Sequence, residues 1–434
     1  MTPEEITRIR PRLLEFADGM LADALRRKDQ IGKGELYLRG LLTDGRRKSM
    51  QPMAERLGVD HQRLQQFVTN STWDYQVVRA NVARWGMTAI APDAYVIDDT
   101  GFAKDGKSSP LVARMYSGTL GKVGNCQVAV SVQIVSDTAS LAANWRLFCP
   151  KSWDDSTFDD PDEAQEVRKR RTRAGVPDKV RHREKWRLAL DMLDQMTGSG
   201  TAEPDAEVAD RPWGLPKLPV SADAGYGDTT EFRLGLEERG FQYVVAVKST
   251  TSAYPESAGP ELVPRQPGRG RPPKPRYPDP PSSLRDLALA AGREAFVEVT
   301  WRHGTRKSAD NPTAAMTSKF LAIKVRPASR EITRAADASL PTRWLLVEWP
   351  DDADEPTDYW LSNMDDQTPL AELVRLAKIR WRIEHDYREL KTGLGLDHFE
   401  GRSFTGWHRH VTLVVLAQAF CTMLRLDPKA PAPA

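Results

Sequence analysis

Two segments of the chain, far apart in sequence, share one pattern: a short apolar run followed by a carboxylate and a glycine turn. Residues 94–106 carry Asp98 and Asp99 after Ala-Tyr-Val-Ile, and residues 218–227 carry Asp223 after Leu-Pro-Val-Ser-Ala. A helical pattern and a further strand-like run follow the second segment. Short apolar runs bounded by glycine are typical of buried strands. The pattern therefore predicts an α/β fold with acids at the ends of buried strands.

A third segment, residues 377–391, places one carboxylate among cations at helical spacing. On a continuous helix, one face would carry a polar set: Arg380, Glu384, Tyr387 or Arg388, and Lys391. Apolar side chains interleave with this set, at Trp381, Ile383 and Leu390. The polar face therefore borders a site, or alternatively is an ordinary solvated face.

Two acids on strands and a third on a helix have a shared chemical use. Mg²⁺ prefers carboxylate oxygens, and two ions about 3.5–4 Å apart can activate an attacking oxygen and stabilise a leaving one in phosphodiester transfer. Three carboxylates crowded together without metal would repel one another and raise their own pKa values. Asp98 or Asp99, with Asp223 and Glu384, are therefore candidate metal ligands.

These segments resemble the DDE transposases of bacterial insertion sequences, whose catalytic core is RNase H-like. The resemblance is closest to the branch with a β-rich insertion before the final acid, in which the last helix carries a Tyr-x2-Arg-x3-Glu-x6-Lys signature. Three residues of this chain stand at those spacings, Arg380, Glu384 and Lys391, whereas Ala377 replaces the tyrosine.

The resemblance covers most of residues 91–425, and residues 113–118 and 125–128 also take part in it. It implies that Asp98, Asp223 and Glu384 hold two Mg²⁺ ions, with Mn²⁺ able to substitute. Neighbouring residues of a strand point to opposite faces, so only one of Asp98 and Asp99 faces the metals. The family pattern favours Asp98 and gives Asp99 a supporting place. Supporting or phosphate-contacting roles also fall to Arg380, Tyr387, Arg388 and Lys391.

The implied function is that of a DNA transposase, which binds the terminal repeats of its element, nicks the ends and transfers the freed 3′-OH to the opposite strand or to target DNA. The implied partners are double-stranded DNA, both transposon ends and target, and a second copy of the chain on DNA. Two alternatives remain: a transposase-derived DNA-binding regulator without catalysis, and a stand-alone RNase H-like nuclease.

Composition agrees with an intracellular enzyme, and the resemblance implies a bacterial cytoplasmic, nucleoid-associated protein without membrane contact. The three cysteines show no metal or pairing spacing. No signal peptide opens the chain, and the longest apolar run, residues 411–424, is too short to span a bilayer. It predicts a core helix instead. The net charge of +2 alone argues weakly for nucleic acid.

A basic block argues more strongly. Its cations are candidate phosphate contacts, with a solvated helix as the alternative: Arg168, Lys169, Arg170, Arg171 and Arg173, continuing to Arg187. Acids cluster elsewhere in the sequence, at residues 154–162 and 351–355.

The first ninety residues have helical patterns, with a cap at Thr2 and turns near residues 32–34 and 44–45. Residues 49–67 have the layout of a helix-turn-helix, although many helical pairs of this kind bind no DNA. If this one does, it recognises the terminal repeats. The candidate DNA contacts are Arg46, Arg47, Lys48, His61, Gln62, Arg63 and Gln66.

More than 120 residues separate the strand that follows Asp223 from the last acid, which is too long for a loop and predicts an inserted domain. Its Pro- and Gly-rich start, residues 254–283, is expected to be extended or disordered. Arg269 and Arg271 resemble the core of an AT-hook there, or form a basic linker. Four strand-like runs follow. Trp301, in the first of them, either stacks on a flipped base or packs the insertion.

The predicted fold is an RNase H-like mixed sheet flanked by helices, with a helical N-terminal domain and an inserted β-rich domain. The predicted divisions are a helical DNA-binding domain over 1–90, the first part of the core over 91–250, the insertion over 251–370, the last part of the core over 371–425, and a disordered tail over 426–434.

Overall fold

The structure is a computed structural model, and it describes residues 1–25, 27–200, 211–262, 274–304, 311 and 313–427. Contacts within the chain divide it into two compact units. Unit 1 comprises Met1–Pro216 together with Trp381–Ala434, and unit 2 comprises Lys217–Arg380. The predicted tail lies outside the described residues from residue 428 onward. The five predicted divisions remain a proposal.

Unit 1 opens with helices: α1 (Pro3–Leu21), α2 (Lys28–Leu42), α3 (Met50–Leu57), α4 (His61–Thr69) and α5 (Tyr75–Ile90). Thr2 and Glu5 cap α1 reciprocally, as a capping box. Gly58 ends α3 in the left-handed conformation, and the Asp60 carboxylate begins α4 by accepting from the Gln62 N–H. The structure thus has the predicted helix-turn-helix layout.

The turn expected near residues 32–34 is wrong, because both glycines lie inside α2. Gly34 serves close packing instead: a Cβ at this position would lie 2.4 Å from Leu21 Cδ1 of α1. The glycine that favours a turn in sequence therefore allows two helices to approach each other.

The sheet of unit 1 is antiparallel and is built around one long strand. Its strands are β1 (Ala94–Ala103), β2 (Ala113–Ser117), β3 (Lys122–Val135) and β4 (Ser140–Leu147). β3 pairs with each of the other three. The expectation that β1 stops at its two carboxylates is wrong, because β3 pairs with it from Ala94 to Ala103 and so extends it beyond Asp98 and Asp99.

The remaining helices of unit 1 are α6 (Pro161–Ala174), α7 (Lys185–Thr197), α12 (Trp381–Arg388) and α13 (Phe404–Leu426), and a π-helical turn, Glu389–Gly393, follows α12. α13 is the predicted core helix: it is buried over most of its length and packs against α2, α4, α5 and β4. None of the helices in the described ranges is both long enough and apolar enough to cross a membrane.

Unit 2 has a mixed sheet in the order β5 (Val220–Ala222), β6 (Tyr243–Val247), β12 (Asp358–Ser362), β11 (Arg343–Glu348), β10 (Ala315–Pro327), β7 (Ser252–Pro255) and β8 (Ser282–Ser283), with β9 (Val297–His303) also paired to β10. β5 and β6 are parallel and the other pairs are antiparallel. Its helices are α8 (Ala224–Gly227), α9 (Thr230–Glu238), α10 (Leu284–Ala291) and α11 (Leu370–Lys378). The predicted α/β class is confirmed.

The described ends of the Pro- and Gly-rich segment are packed, which corrects the expectation of disorder for them. The ring of Tyr254 stacks on that of Tyr277 with centroids 4.0 Å apart, and Glu261 pairs with Arg276 in an antiparallel bridge. Arg269 and Arg271, the two AT-hook candidates, lie outside the described residues.

Gly227 fixes the packing of the turn that follows β5. α8 lies directly on β6, and a Cβ at Gly227 would lie 2.0 Å from the carbonyl oxygen of Ala246. A backbone oxygen cannot rotate away as a side chain can, so the helix itself would have to move. The position of this turn therefore depends on a glycine.

We expect Gly227→Ala to destabilise unit 2 by about 1–3 kcal/mol through overpacking, which corresponds to a melting temperature lower by roughly 3–10 °C. Gly259→Ala is the matched control, because nothing lies within 4 Å of a Cβ built there. Thermal unfolding followed by circular dichroism measures both. Equal melting of the two variants would contradict the packing described.

Candidate active site

The pairing of β1 with β3 directs the two neighbouring aspartates to opposite faces. Asp98 lies opposite Ser131 and Asp99 lies opposite Val130, and directly opposed residues share a face. The Ser131 hydroxyl is 2.8 Å from the Tyr387 hydroxyl of α12. Asp98 therefore lies on the face that α12 covers.

Asp99 lies on the other face, where α7 begins. Its Oδ2 accepts a hydrogen bond from Lys185 Nζ at 2.8 Å, and both side chains are partly exposed. Asp98 Oδ1 in turn accepts from the Asp99 backbone N–H at 2.8 Å. Asp99 is thus held by an ion pair, whereas Asp98 is directed to α12.

Two side chains of the predicted last helix lie in the electrostatic field of Asp98. Burial raises the pKa of the Tyr387 phenol well above its usual range, and the negative charge of Asp98 raises it further. Burial lowers the pKa of Lys391, against the opposing effect of Asp397 and Asp98. The Tyr387 hydroxyl contacts Ser131, opposite Asp98, and Lys391 Nζ lies 5.7 Å from the ring centroid of Phe102, four residues after Asp98 on β1. Alternate residues of a strand share a face, so both side chains lie on the Asp98 face of β1.

Lys391 is fixed by two oxygens. Its ammonium donates to the Gly101 carbonyl at 2.9 Å and to the Thr119 hydroxyl at 3.3 Å. Gly101 is three residues beyond Asp98 on β1. The cation is thus held beside the strand that carries the first predicted acid.

Glu384 lies on α12, one turn before Tyr387, and its side chain is exposed. Residues three apart on a helix have Cβ atoms about 5–6 Å apart. Arg388, also exposed, follows Glu384 by four residues and lies on the same side of the helix. In unit 1 the fold thus gathers Asp98, Tyr387 and Lys391, with Glu384 next to Tyr387 on its helix.

The expectation of one continuous helix over residues 377–391 is wrong. α11 ends at Lys378 and α12 begins at Trp381, so Arg380 lies in the turn between them. Ile379 keeps right-handed helical angles, with φ −58° and ψ −21°. The break therefore leaves no proline or glycine in the sequence to reveal it.

The second departure follows Arg388, where the backbone widens into the π-helical turn of residues 389–393. A π-turn closes its hydrogen bonds over five residues instead of four, so Lys391 is rotated away from its place on an α-helical face. The rotation brings its ammonium to the Gly101 carbonyl.

Asp223 belongs to unit 2, where it lies at the carboxyl end of β5 and caps α8. Its Oδ1 accepts from the Gly225 N–H at 3.0 Å, and the residue is half-buried. Asp commonly forms such a bond to the backbone two residues on, and here it orients the carboxylate at the end of a strand. The turn role and the ligand role are therefore compatible.

A second group of possible metal ligands is one that the sequence analysis did not identify. Among the described residues, one group of three such side chains, His385, Asp386 and Glu389, has ligand atoms within 4.8 Å of one another. Asp386 is buried and accepts from the Ser140 hydroxyl, and burial raises its pKa. Glu389 pairs with Arg425. Both acids thus have protein partners; their i, i+3 spacing was the signal in the sequence.

Most of the predicted helix-turn-helix contacts are exposed: Arg46, Arg47, His61, Gln62, Arg63 and Gln66. Lys48 is the exception, and the prediction that it contacts DNA is corrected. Its side chain is buried, its ammonium donates to the carbonyls of Leu41 and Thr43, and burial lowers its pKa to about 8. It joins the end of α2 to the start of α3 and is not a DNA contact.

The prediction that the basic block contacts phosphate is corrected in part, because the fold brings the acids of residues 154–155 next to the block. Arg168 pairs with Asp155 at 3.1 Å. Arg171 is buried, and its guanidinium donates to the carbonyls of Trp153, Pro177 and Val180. It therefore cannot contact phosphate.

The other cations of the block keep exposed surface to different degrees. Lys169 is exposed and pairs with Glu166, and Arg173 is exposed. The Arg170 guanidinium lies 4.0 Å over the Trp153 ring and is half-buried.

In unit 2, Trp301 is half-buried, with Lys378 Nζ 5.8 Å from its ring centroid. This contact favours the packing role of Trp301.

By itself, burial would raise the pKa of the Asp154 carboxyl. Hydrogen bonds from the His182 N–H and from Ser156 outweigh the effect of burial and lower this pKa to about 2. A carboxyl whose pKa is lower in the folded state stabilises the fold above its unfolded pKa of 3.8, and this stabilisation disappears as the pH falls toward 2.

We therefore expect Asp154→Asn to lose about 2 kcal/mol of unfolding free energy at pH 7. The difference from wild type should narrow below about pH 4. Asp159→Asn, an exposed acid of the same run, is the control. Urea unfolding over a pH series measures the effect; a difference that stays constant down to pH 3 would contradict it.

Two protein-family models match overlapping stretches of the chain. Residues 20–308, about two thirds of the chain, match the family model described as DDE superfamily endonuclease, and residues 206–420 match the transposase DDE domain. A "Probable transposase for insertion sequence element IS701" from Microchaete diplosiphon is 28% identical over 231 residues, which are 52% of this chain and 50% of that protein. The chain thus spans about half the length of this curated relative.

Proposed function

The chain belongs to the DDE superfamily of endonucleases, and from this premise we propose that it is the DNA transposase of an insertion sequence. It binds the terminal repeats of the element, cuts at its ends and joins them to target DNA. The observation that carries the proposal is the register of β1 and β3, which places Asp98 on the face with Tyr387 and Lys391.

Asp98, Asp223 and Glu384 are the proposed metal ligands. Their chemistry fits divalent metal, because carboxylate oxygens are the donors that Mg²⁺ and Mn²⁺ prefer. Two of them already accept a backbone N–H, Asp98 from Asp99 and Asp223 from Gly225, which orients each carboxylate. When bound, a pair of Mg²⁺ ions activates the attacking oxygen and neutralises charge on the leaving one.

The neighbouring side chains hold the DNA strand and balance the charge of the site. Lys391, fixed by Gly101 and Thr119, offers a positive charge to a phosphate next to Asp98. The Tyr387 phenol, 2.8 Å from the Ser131 hydroxyl, offers a hydrogen-bonding group on the Asp98 face. Lys185 balances the charge of Asp99, which limits repulsion next to Asp98.

Recognition of the ends is assigned to the exposed face of α4. His61, Gln62, Arg63 and Gln66 are the proposed base contacts, since all four are exposed on the second helix of the pair. The proposed phosphate contacts are exposed cations: Arg46, Arg47, Arg168, Lys169 and Arg173. Two copies of the chain hold the two ends, at the bacterial nucleoid.

The test is to incubate the protein and Mg²⁺ with DNA that carries the genomic flanks of its gene, and to resolve the products on a denaturing gel. We expect discrete cuts at both flanks. Asp98→Asn, Asp223→Asn and Glu384→Gln should each abolish cutting, because each removes a charged metal ligand, while DNA binding stays within about twofold of wild type.

Asp99→Asn is the matched control, because it changes the neighbouring acid that faces Lys185, and it should still cut. Cutting by all three ligand variants would overturn the assignment of the site. Flank binding without cutting, identical in wild type and Glu384→Gln, would favour a regulator. Cutting of DNA that lacks the flanks would favour a general nuclease.

A further inference from the structure

The hairpin formed by β2 and β3 presents an aromatic side chain to solvent. Tyr116 and Val123 are directly opposed in the register of the two strands, so their side chains share one face. Tyr116 is 63% exposed and Val123 is 54% exposed. Among the described residues these are two of the most exposed large apolar side chains. Their pairing on one face sets them apart from scattered surface hydrophobics.

A guanidinium extends the same face. Arg114 precedes Tyr116 by two residues on β2, so it points to the same side, and it is exposed. We name this surface, formed by Arg114, Tyr116 and Val123, the outer face of the hairpin. An aromatic ring beside a cation is the combination that proteins use to hold unpaired nucleotides, the ring for the base and the cation for the phosphate.

The inner side of the hairpin is fixed to β1. The hydroxyl of Thr119, in the turn, lies 3.2 Å from both the Gly101 amide nitrogen and the Thr100 hydroxyl. Ser117 packs so closely on Gly101 that a Cβ there would lie 1.9 Å from the Ser117 Oγ. The turn that holds Tyr116 in place is therefore the one that also holds Lys391.

Distance along β1 relates this turn to the proposed site. Gly101 lies three residues from Asp98, which is about 10 Å at the rise of a β-strand. The same length corresponds to about three base steps along a DNA strand. A strand with its phosphate beside Asp98 and Lys391 would therefore have nucleotides close to the hairpin.

We propose that the outer face of the hairpin binds an unpaired DNA base, which stacks on Tyr116 while Arg114 contacts the adjoining phosphate. This inference rests on the proposed function, because it takes the DNA cut beside Asp98 as the ligand. A second copy of the chain is the other conceivable occupant. The exposed Arg114 adds a positive charge that complements a phosphate, so DNA is the occupant that the surface fits.

The experiment uses the full chain with the background change Glu384→Gln and two fluorescein-labelled probes, a short oligothymidylate and a paired duplex of the element's end. Fluorescence anisotropy gives the Kd for each. We expect Tyr116→Ala to weaken binding of the oligothymidylate about 5- to 100-fold. Binding of the duplex through the N-terminal helices should stay within about twofold.

Tyr116→Phe keeps the ring and should bind the oligothymidylate as the parent does. Leu14→Ala removes another exposed apolar side chain of unit 1, 39% exposed on α1, and should change nothing. Arg114→Ala should make oligothymidylate binding less dependent on salt, because one phosphate contact is lost.

The outcomes separate the two proposals. If the parent protein binds the duplex but Tyr116→Ala binds the oligothymidylate equally well, the hairpin inference is overturned while the proposed function stands. The hairpin inference is also overturned if Tyr116→Ala leaves oligothymidylate binding unchanged but alters the oligomeric state seen by mass photometry. The outer face of the hairpin would then be a protein contact. If wild type neither binds nor cuts any DNA, the proposed function itself fails.

Discussion

The ten-residue pairing of β1 with β3, from Ala94 opposite Val135 to Ala103 opposite Cys126, is the interaction on which the proposed site depends. A slip of one residue would exchange the faces of Asp98 and Asp99. Residues 94–97 are all buried and give no alternation to fix the register. Contacts on both faces fix it instead: Tyr387 with Ser131 on one, and Lys185 with Asp99 on the other.

The distribution of paired charges explains how a chain with 62 basic and 60 acidic residues suits a DNA ligand. Part of its positive charge is used inside the fold, as with Arg171 against backbone carbonyls. Exposed cations such as Arg63 and Arg114 lie on elements proposed to meet DNA. The net charge therefore says little, and the location of unburied cations says more.

Local patterns predicted much of the fold, because they depend on residues close in sequence. The helix-turn-helix layout, the core helix α13 and all four strand-like runs after residue 294 are present in the structure. Long-range pairing was the part that could not be predicted. Only the length of β3 extends β1 past its acids, and only the tertiary approach of residues 154–155 shows that part of the basic block is paired with acids.

The candidate site, too, was predicted only in part from the sequence. The strand-end pattern and the helical spacing singled out Asp98 or Asp99, Glu384 and Lys391, and the family resemblance favoured Asp98; the fold places Asp98 and Lys391 on one face of β1. The π-helical turn that carries Lys391 could not be read from the sequence, since Glu389, Leu390 and Lys391 are ordinary helix formers and Gly393 is equally compatible with a simple helix end. Burial of Lys48 was hidden for a similar reason: a lysine before a helix is usually solvated, and only its carbonyl partners decide otherwise.

The packing of α13 has a consequence for modularity. This helix, which follows the segment bearing Glu384, shares its core with the N-terminal helices: His410 contacts the Tyr37 hydroxyl at 2.9 Å, and Arg409 donates to the carbonyls of Val68 and Trp73. Exchanging the whole N-terminal region for that of another protein would uncover these buried polar groups. If α4 reads the terminal repeats as proposed, a new end specificity would be introduced more safely by surface substitutions on α4 than by a transplanted domain.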